Sequence, residues 1–392
     1  MELKGRIAAV RDSVIAHRQW LHAHPELSGQ EKETAAYIAA ALRKLGLEPK
    51  ENVGGYGVVA VIEGHKAGKC VALRADFDAL SIQEETGLPY ASKNPGVSHA
   101  CGHDVHTAML LGVAEVLCGM RSAFEGAVKL IFQPSEENAS DSGAKRMIAA
   151  GVLEDPPVDA IFAQHVNPSY PTGAICLKEG AMTASSDRFH IRILGKSSHG
   201  SAPESGIDAV TIGALIITAL QTIVSRTASP MDNVVLTIGK LTAGTRYNII
   251  AGECEMEGTC RTLNPQVQAQ LPGRMEAIIK GIAESMGGTY EFEYIKGFVP
   301  TVNDAQCLAL VRKTAQGLLG EESVIVPDKA TMTGEDFSFF LREIPGTFYW
   351  LGCQKAETPF YPLHSNRFVP DEEAIPVGME VMLTSALGYL GE

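Results

Sequence analysis

Several short apolar runs in this chain lead into an acid or a histidine, and that pattern constrains the fold more than any other feature. Residues 71–74 lead to Asp76, residues 128–132 to Glu136 and Glu137, and residues 160–163 to His165. Brief runs of this kind, rich in β-branched residues and bounded by turn formers, predict buried strands. Helical spacing over 3–20, over 31–45 up to Gly46, and over 107–117 places helices between them. Strand and helix alternate, so the expected class is α/β: a mostly parallel mixed sheet flanked by helices. Ligands of such sheets bind outside the carboxyl ends of the strands, which sends Asp76, Glu136, Glu137 and His165 toward one crevice.

The alternation does not run the whole length. A strand over 347–351 and a helix over 375–389 continue it near the far end, so the two ends are expected to share one sheet. Between them the rhythm changes to strand 189–194, helix 207–224, strands 234–238 and 253–262, helix 267–286 and strand 289–294. That order suits a small ferredoxin-like α+β unit with helices on one face of an antiparallel sheet. A chain of 392 residues exceeds what one core usually supports. The expected organisation is one domain formed by 1–184 and 300–392, with a second, 185–299, inserted into it.

A formal charge of -13, with no basic run to reverse it, repels nucleic acid and anionic membrane surfaces. No stretch approaches the roughly 20 consecutive apolar residues of a membrane span. The N-terminal segment mixes charges of both signs and has neither an apolar h-region nor a small-residue cleavage site. The eight cysteines lack the dense spacing of a disulfide framework. The protein is expected in the cytoplasm, with reduced thiols and a small-molecule partner.

The segment from His99 to His106 packs three imidazoles, the Cys101 thiol and the Asp104 carboxylate into eight residues, directly before an apolar helix. Such donors suit Zn, Co, Ni or Mn. Glu136 and Glu137 add two carboxylates where Pro134 breaks a strand. Adjacent side chains diverge, so Glu137 can coordinate a metal while Glu136 acts as a base on water beside it. Asp76 and Asp104 are candidate orienting partners of ligating imidazoles, and His106 is either another such element or a helix-start residue. Glu335 and Asp336 either approach the site or are acids that favour the start of a helix, the second reading being preferred. A nucleophilic cysteine mechanism through Cys101, with neighbouring histidines, is the competing chemistry.

These residues resemble the amidohydrolase branch of the M20 metallopeptidases, which includes hippurate hydrolases, N-acyl-amino-acid amidohydrolases and auxin-conjugate hydrolases. The resemblance spans nearly the whole chain. It runs through His17-Arg-Gln-Trp-Leu-His-Ala-His-Pro-Glu-Leu-Ser28, Arg74-Ala-Asp-Phe-Asp-Ala-Leu80, the two clusters above, Ser198-His-Gly-Ser-Ala-Pro203, Gly334-Glu-Asp-Phe-Ser338 and His364-Ser365. By motif it implies two divalent metal ions, Zn or Mn first and Co or Ni next, held by Cys101, His103, Glu137, His165 and His364. It implies Glu136 as general base and His199 as the group that polarises the scissile carbonyl. It places Asn248 and Arg261 on the substrate's α-carboxylate, makes 185–299 a lid, and leads to the expectation of a homodimer through it. His17, His22 and His24 are given structural roles.

The implied reaction is hydrolysis of an N-acyl amino acid to a carboxylate and a free amino acid. A dipeptidase, an N-acetyl-diaminopimelate deacetylase and an aminobenzoyl-glutamate hydrolase share the same core chemistry. A metal- or peptide-binding protein that has lost catalysis is the alternative from another class. Ser81 stands where the family usually has Pro, and residues 138–142 form a longer, more polar link after the paired acids. That link lies beside the expected metal site, where its length and polarity bear on the acyl pocket, so the preferred acyl group stays open.

Overall fold

A computed structural model describes residues 3–391. In chain order its main elements are α1 (Leu3–Ala23), α2 (Lys32–Lys44), β1 (Lys50–Val53), β2 (Gly57–Glu63), β3 (Cys70–Asp76), α3 (His103–Cys118), β4 (Ala127–Gln133), α4 (Gly143–Ala149), β5 (Ala160–Pro171) and β6 (Ile175–Cys176). Next come β7 (Ser186–Leu194), α5 (Ala209–Thr222), β8 (Val234–Ala243), β9 (Glu253–Thr262), α6 (Pro265–Ser285) and β10 (Thr289–Phe298). The last are α7 (Ala305–Leu319), β11 (Val324–Ile325), β12 (Gly346–Gln354) and α8 (Ala374–Gly391). The chain divides into two compact units. One comprises Met1–Met182, Val302–Lys329 and Asp336–Glu392, the other Thr183–Thr301 and Ala330–Glu335.

The first unit is an α/β layer structure on a mixed eight-stranded sheet of order β1-β2-β4-β3-β5-β12-β6-β11. β3 pairs in parallel with both β4 and β5, and β12 pairs in parallel with β5. β1 with β2, β2 with β4, and β6 with β12 are antiparallel. Every residue of β3 is buried, as a strand covered on both faces requires. The far-end strand β12 therefore does join the sheet begun by the first half of the chain.

The helix α3 is apolar on nearly all sides because it is covered on nearly all sides. Met109, Leu110, Leu111 and Val113 are buried, each removing side-chain surface worth roughly 1.5–3 kcal/mol from water. A β-carbon on Gly112 would lie 2.4 Å from Val14, so α1 approaches α3 too closely for any larger residue. Two helical stretches, 209–227 and 374–391, are long and apolar enough to span a bilayer by length and composition. For α8 that apolarity serves the core, where Ile375, Met379, Val381 and Leu383 are buried.

The second unit is a four-stranded sheet of order β8-β9-β7-β10, antiparallel throughout, with α5 and α6 beside it. Its own core gathers Phe189, Ile191 and Ile193 of β7 with Ile212 and Ile216 of α5 and Leu271 and Ile279 of α6. A separate two-stranded ribbon pairs Ser198–His199 with Ile249–Ile250.

Candidate metal centre and catalytic acids

Five of the residues singled out by sequence belong to the first unit and converge there. One ligand atom each from Cys101, His103 and His165 lie within 4.8 Å of one another, and the same holds for Cys101, Glu137 and His364. A third group of the same kind joins His103, Glu136 and Glu137. The first two groups share the Cys101 sulfur. Soft sulfur with imidazole and carboxylate suits first-row divalent metals.

Each donor is presented by a local device. Gly102 adopts φ +87° between Cys101 and His103, and a β-carbon there would meet Val166 at 2.5 Å. Only glycine gives the chain this close, left-handed passage into α3. Pro134 and Ser135, the latter at φ 55°, end β4 and turn the chain so that Glu136 and Glu137 follow immediately. His364 is itself left-handed, at φ 65°, and its backbone N–H donates to Ala100 at 2.8 Å. Such conformations in non-glycine residues gather at functional sites.

The tautomers follow from the partners. Nδ1 of His103 donates to the Asp78 carbonyl at 2.9 Å, leaving its buried Nε2 without a hydrogen-bond partner on the donor cluster. Nδ1 of His165 donates to the Val166 carbonyl at 2.7 Å, so Nε2 presents a lone pair 3.4 Å from Cys101 Sγ. His106 is different. Its Nδ1 donates to Asp76 at 2.6 Å and its Nε2 accepts from the Val166 N–H at 2.9 Å. Both nitrogens are committed, so His106 ties β3 to β5 and cannot ligate. Of the three imidazoles between 99 and 106, His103 alone serves the donor groups this way, and His99 is buried with neither nitrogen hydrogen-bonded.

The electrostatics favour a cation over a cysteine nucleophile. Burial, then Glu137, Glu136 and Asp76, push the Cys101 thiol well above its ordinary value. Burial, together with His106 and His103, holds His165 well below its own. A reactive cysteine needs the opposite, a stabilised thiolate beside a basic imidazole. Burial opposes charge on His103, yet Asp76, Asp78 and Glu137 outweigh it and hold the ring up at about 10. So much carboxylate around one imidazole calls for positive charge.

Three expectations need correction. Asp104 does not orient a donor imidazole: its Oδ2 accepts from Arg18 Nε at 3.2 Å and from His22 Nδ1 at 2.9 Å. One residue along a helix is a rotation of about 100°, which turns Asp104 off the face that His103 occupies. Asp76 is bonded by Arg74 and His106 rather than by His103, whose Nε2 stands 3.8 Å away. The orienting group for His103 is Asp78, which also receives Ser28 Oγ at 2.7 Å and the Glu137 N–H at 3.0 Å. Asp336 does open a short 3-10 helix, Asp336–Phe339, and its fully buried carboxylate also accepts from Arg74, Gln133, Ser142 and Ala144. His165 also lies within β5 rather than beyond it, because pairing with β12 carries that strand on to Pro171. Asp78 was visible only as an acid inside one of the quoted motifs.

His199, Asn248 and Arg261 lie in the second unit. His199 is exposed on the two-stranded ribbon, where Nδ1 accepts from the Ser201 N–H at 3.2 Å and the proton is left on Nε2. The Gly200 N–H donates to the Asn248 carbonyl at 2.9 Å, so the ribbon brings His199 and Asn248 together. Arg261 is on β9, where its guanidinium donates to Thr259 and to the Cys260 carbonyl. His17 and His24 bond Tyr37 and the Trp20 carbonyl, as packing residues do.

Fold and site together define an α/β protein with paired acids beside a thiol-imidazole-carboxylate donor cluster suited to divalent metal. The chain belongs to peptidase family M20/M25/M40, whose family model matches residues 72–387, and it is a metal-dependent amidohydrolase of that family. It is 43% identical over 302 residues to an N-acyl-L-amino acid amidohydrolase of Geobacillus stearothermophilus, covering 77% of this chain and 81% of the relative. It is 40% identical over 380 residues to thermostable carboxypeptidase 1 of Saccharolobus solfataricus, covering 96% and 95%. Among solved structures it is similar to the Bacillus subtilis YXEP protein, a dinuclear metal-binding peptidase of the M20 family. That match has a TM-score of 0.85 and 37% identity over 98% of this chain and 99% of that one.

Proposed function

We propose that the protein hydrolyses the amide bond of N-acyl amino acids with two divalent metal ions, Zn or Mn. The observation that carries this reading is the pair of donor groups sharing Cys101, with Glu136 set beside His103 and Glu137. Cys101, His103 and His165 would hold one ion, and Cys101, Glu137 and His364 the other. Bound there, such ions bring the pKa of water toward neutrality and polarise the amide carbonyl.

The chain's own groups do the rest. The Glu136 carboxylate takes the proton of the attacking water and delivers it to the leaving nitrogen. Its burial, with only 5% of the residue exposed, keeps bulk water from competing for that proton. Nε2–H of His199 donates to the oxygen of the scissile carbonyl as negative charge develops. Asn248 and Arg261 grip the α-carboxylate of the amino-acid half.

The exposed apolar residues Val210 and Leu215 on α5, and Val235 and Leu241 on the edge strand β8, support a homodimer through the second unit. All eight cysteines are free, in keeping with a cytoplasmic site of action. The test is elemental analysis of the purified protein combined with a panel of N-acetyl-amino acids, N-benzoyl-amino acids and dipeptides. Turnover of the acyl-amino acids by metal-loaded protein supports the assignment, whereas turnover of dipeptides alone replaces it with a dipeptidase.

A further inference from the structure

We propose that Glu31 is a positioning residue for Glu136, acting through Ser135. Glu31 stands at the N-cap position of α2, where an acid would ordinarily bond the helix's own free N–H groups. It makes no such bond. Glu26 takes that work, its two oxygens accepting from the Glu33 and Thr34 N–H groups at 3.1 and 2.7 Å. Glu31, with no exposed surface, turns inward across 104 residues of sequence. Its Oε1 accepts from both the Ser135 N–H, at 2.8 Å, and the Ser135 hydroxyl, at 3.0 Å.

Ser135 is the corner of the turn that delivers Glu136. Its φ of 55° is a left-handed conformation that a serine does not favour, and it is immediately followed by the proposed base. The two bonds accepted by one buried carboxylate oxygen help to keep it there, beside the Gly143 N–H that donates to the Ser135 carbonyl at 3.1 Å. The rest of the turn is anchored separately. Asp78 receives the Glu137 N–H at 3.0 Å, and Asp336 receives Gln133, Ser142 and the Ala144 N–H. Without Glu31 the backbone at Ser135 can relax out of the left-handed region. The backbone that carries Glu136 then shifts, disturbing the bond its Oε1 accepts from the Asp336 N–H at 3.4 Å, while Glu137 stays pinned by Asp78. The loss therefore falls on proton transfer rather than on the donor groups.

This inference rests on Glu136 being the base, and the experiment keeps the two apart. Glu31→Ala, Glu31→Gln and Glu136→Gln are made in the full chain, metal-loaded, and assayed on the best substrate of the panel. Hydrogen exchange is followed across 133–137. Glu31→Ala is expected to lower kcat about 100-fold, the scale of a displaced catalytic group, with KM and metal content unchanged and faster exchange at the Ser135 amide. Glu31→Gln, whose Oε1 still accepts both bonds, restores kcat to within a few-fold of the parent. Wild-type kcat and wild-type protection in Glu31→Ala overturn the proposal, as does an equal loss in both Glu31 variants accompanied by loss of metal. If Glu31→Ala does not fold, Glu31→Asp withdraws the carboxylate by one methylene and the same readouts decide. Full turnover by Glu136→Gln sinks the base assignment itself, and a crippled Glu136→Gln beside an unaffected Glu31→Ala sinks only the positioning role.

Discussion

The sulfur of Cys101 lies 3.4 Å from Nε2 of His165, and each is buried where its ordinary ionisation is suppressed in the direction that disables a thiolate-imidazolium pair. The contact has the form of a catalytic cysteine dyad but not the electrostatics of one. Its consequences can be measured.

Exhaustive chelation is expected to abolish activity, with recovery on adding back Zn or Mn. A thiol alkylator should act slowly on metal-loaded protein, because Cys101 is only 7% exposed. Activity that survives chelation yet vanishes on alkylation would show that the cysteine mechanism is correct.

The two adjacent acids should fail differently. Glu136→Gln is expected to reduce kcat by about 10²–10⁴-fold, the usual weight of general acid-base catalysis, with metal content intact. Glu137→Gln should lose metal first. Stoichiometry by elemental analysis beside kcat separates the cases, and metal loss in Glu136→Gln would reverse the division of labour.

Asp78 holds His103 through its backbone carbonyl and faces the same ring nitrogen with a side-chain oxygen at 3.3 Å. Asp78→Asn should weaken metal affinity or activity by about 10–100-fold, as loss of a ligand-orienting group does. A metal-buffered titration reads it; unchanged affinity and unchanged turnover would mean that the carbonyl alone orients the ring.

His199→Phe should lower kcat with little change in metal content, because the ring's Nε2–H is lost while the donor cluster lies in the other unit. Single-turnover kinetics on an acyl-amino acid is the check. An unchanged rate removes His199 from the mechanism.

His22 carries a pH dependence of stability. Its two nitrogens face Asp104 at 2.9 Å and Glu84 at 3.1 Å, and although burial opposes its charge these acids hold it up at about 9. A raised folded-state pKa means the stabilisation is complete below the unfolded value near 6.5 and is lost as pH rises through about 9. The loss is on the order of 3 kcal/mol. Denaturant melts at pH 6 and pH 9.5 should show it in the parent and not in His22→Gln. A parent protein equally stable at both values would contradict the buried imidazolium.

The density of Cys101, His103 and His106, the paired Glu136 and Glu137, and the switch in rhythm near residue 185 are local patterns. Spacing and residue chemistry along the chain were enough to read the α/β alternation and a candidate metal cluster from them, whereas the full donor set, His364 included, was what the resemblance to the M20 family implied. Helical period alone could also have shown that Asp104 and His103 face different ways. What no local pattern carries is the choice of partner across distance. Glu31 bonds Ser135 rather than its own helix, Asp78 rather than Asp76 orients His103, and Asp336, at the start of a short helix, turns its carboxylate on Arg74 and Gln133. A buried carboxylate must find hydrogen bonds wherever packing puts donors, and only the folded sheet brings residues 31, 78 and 336 up to the turn after β4. The sequence therefore determined which chemistry the chain holds, and tertiary packing decided which acids act on the reaction and which hold the others in place.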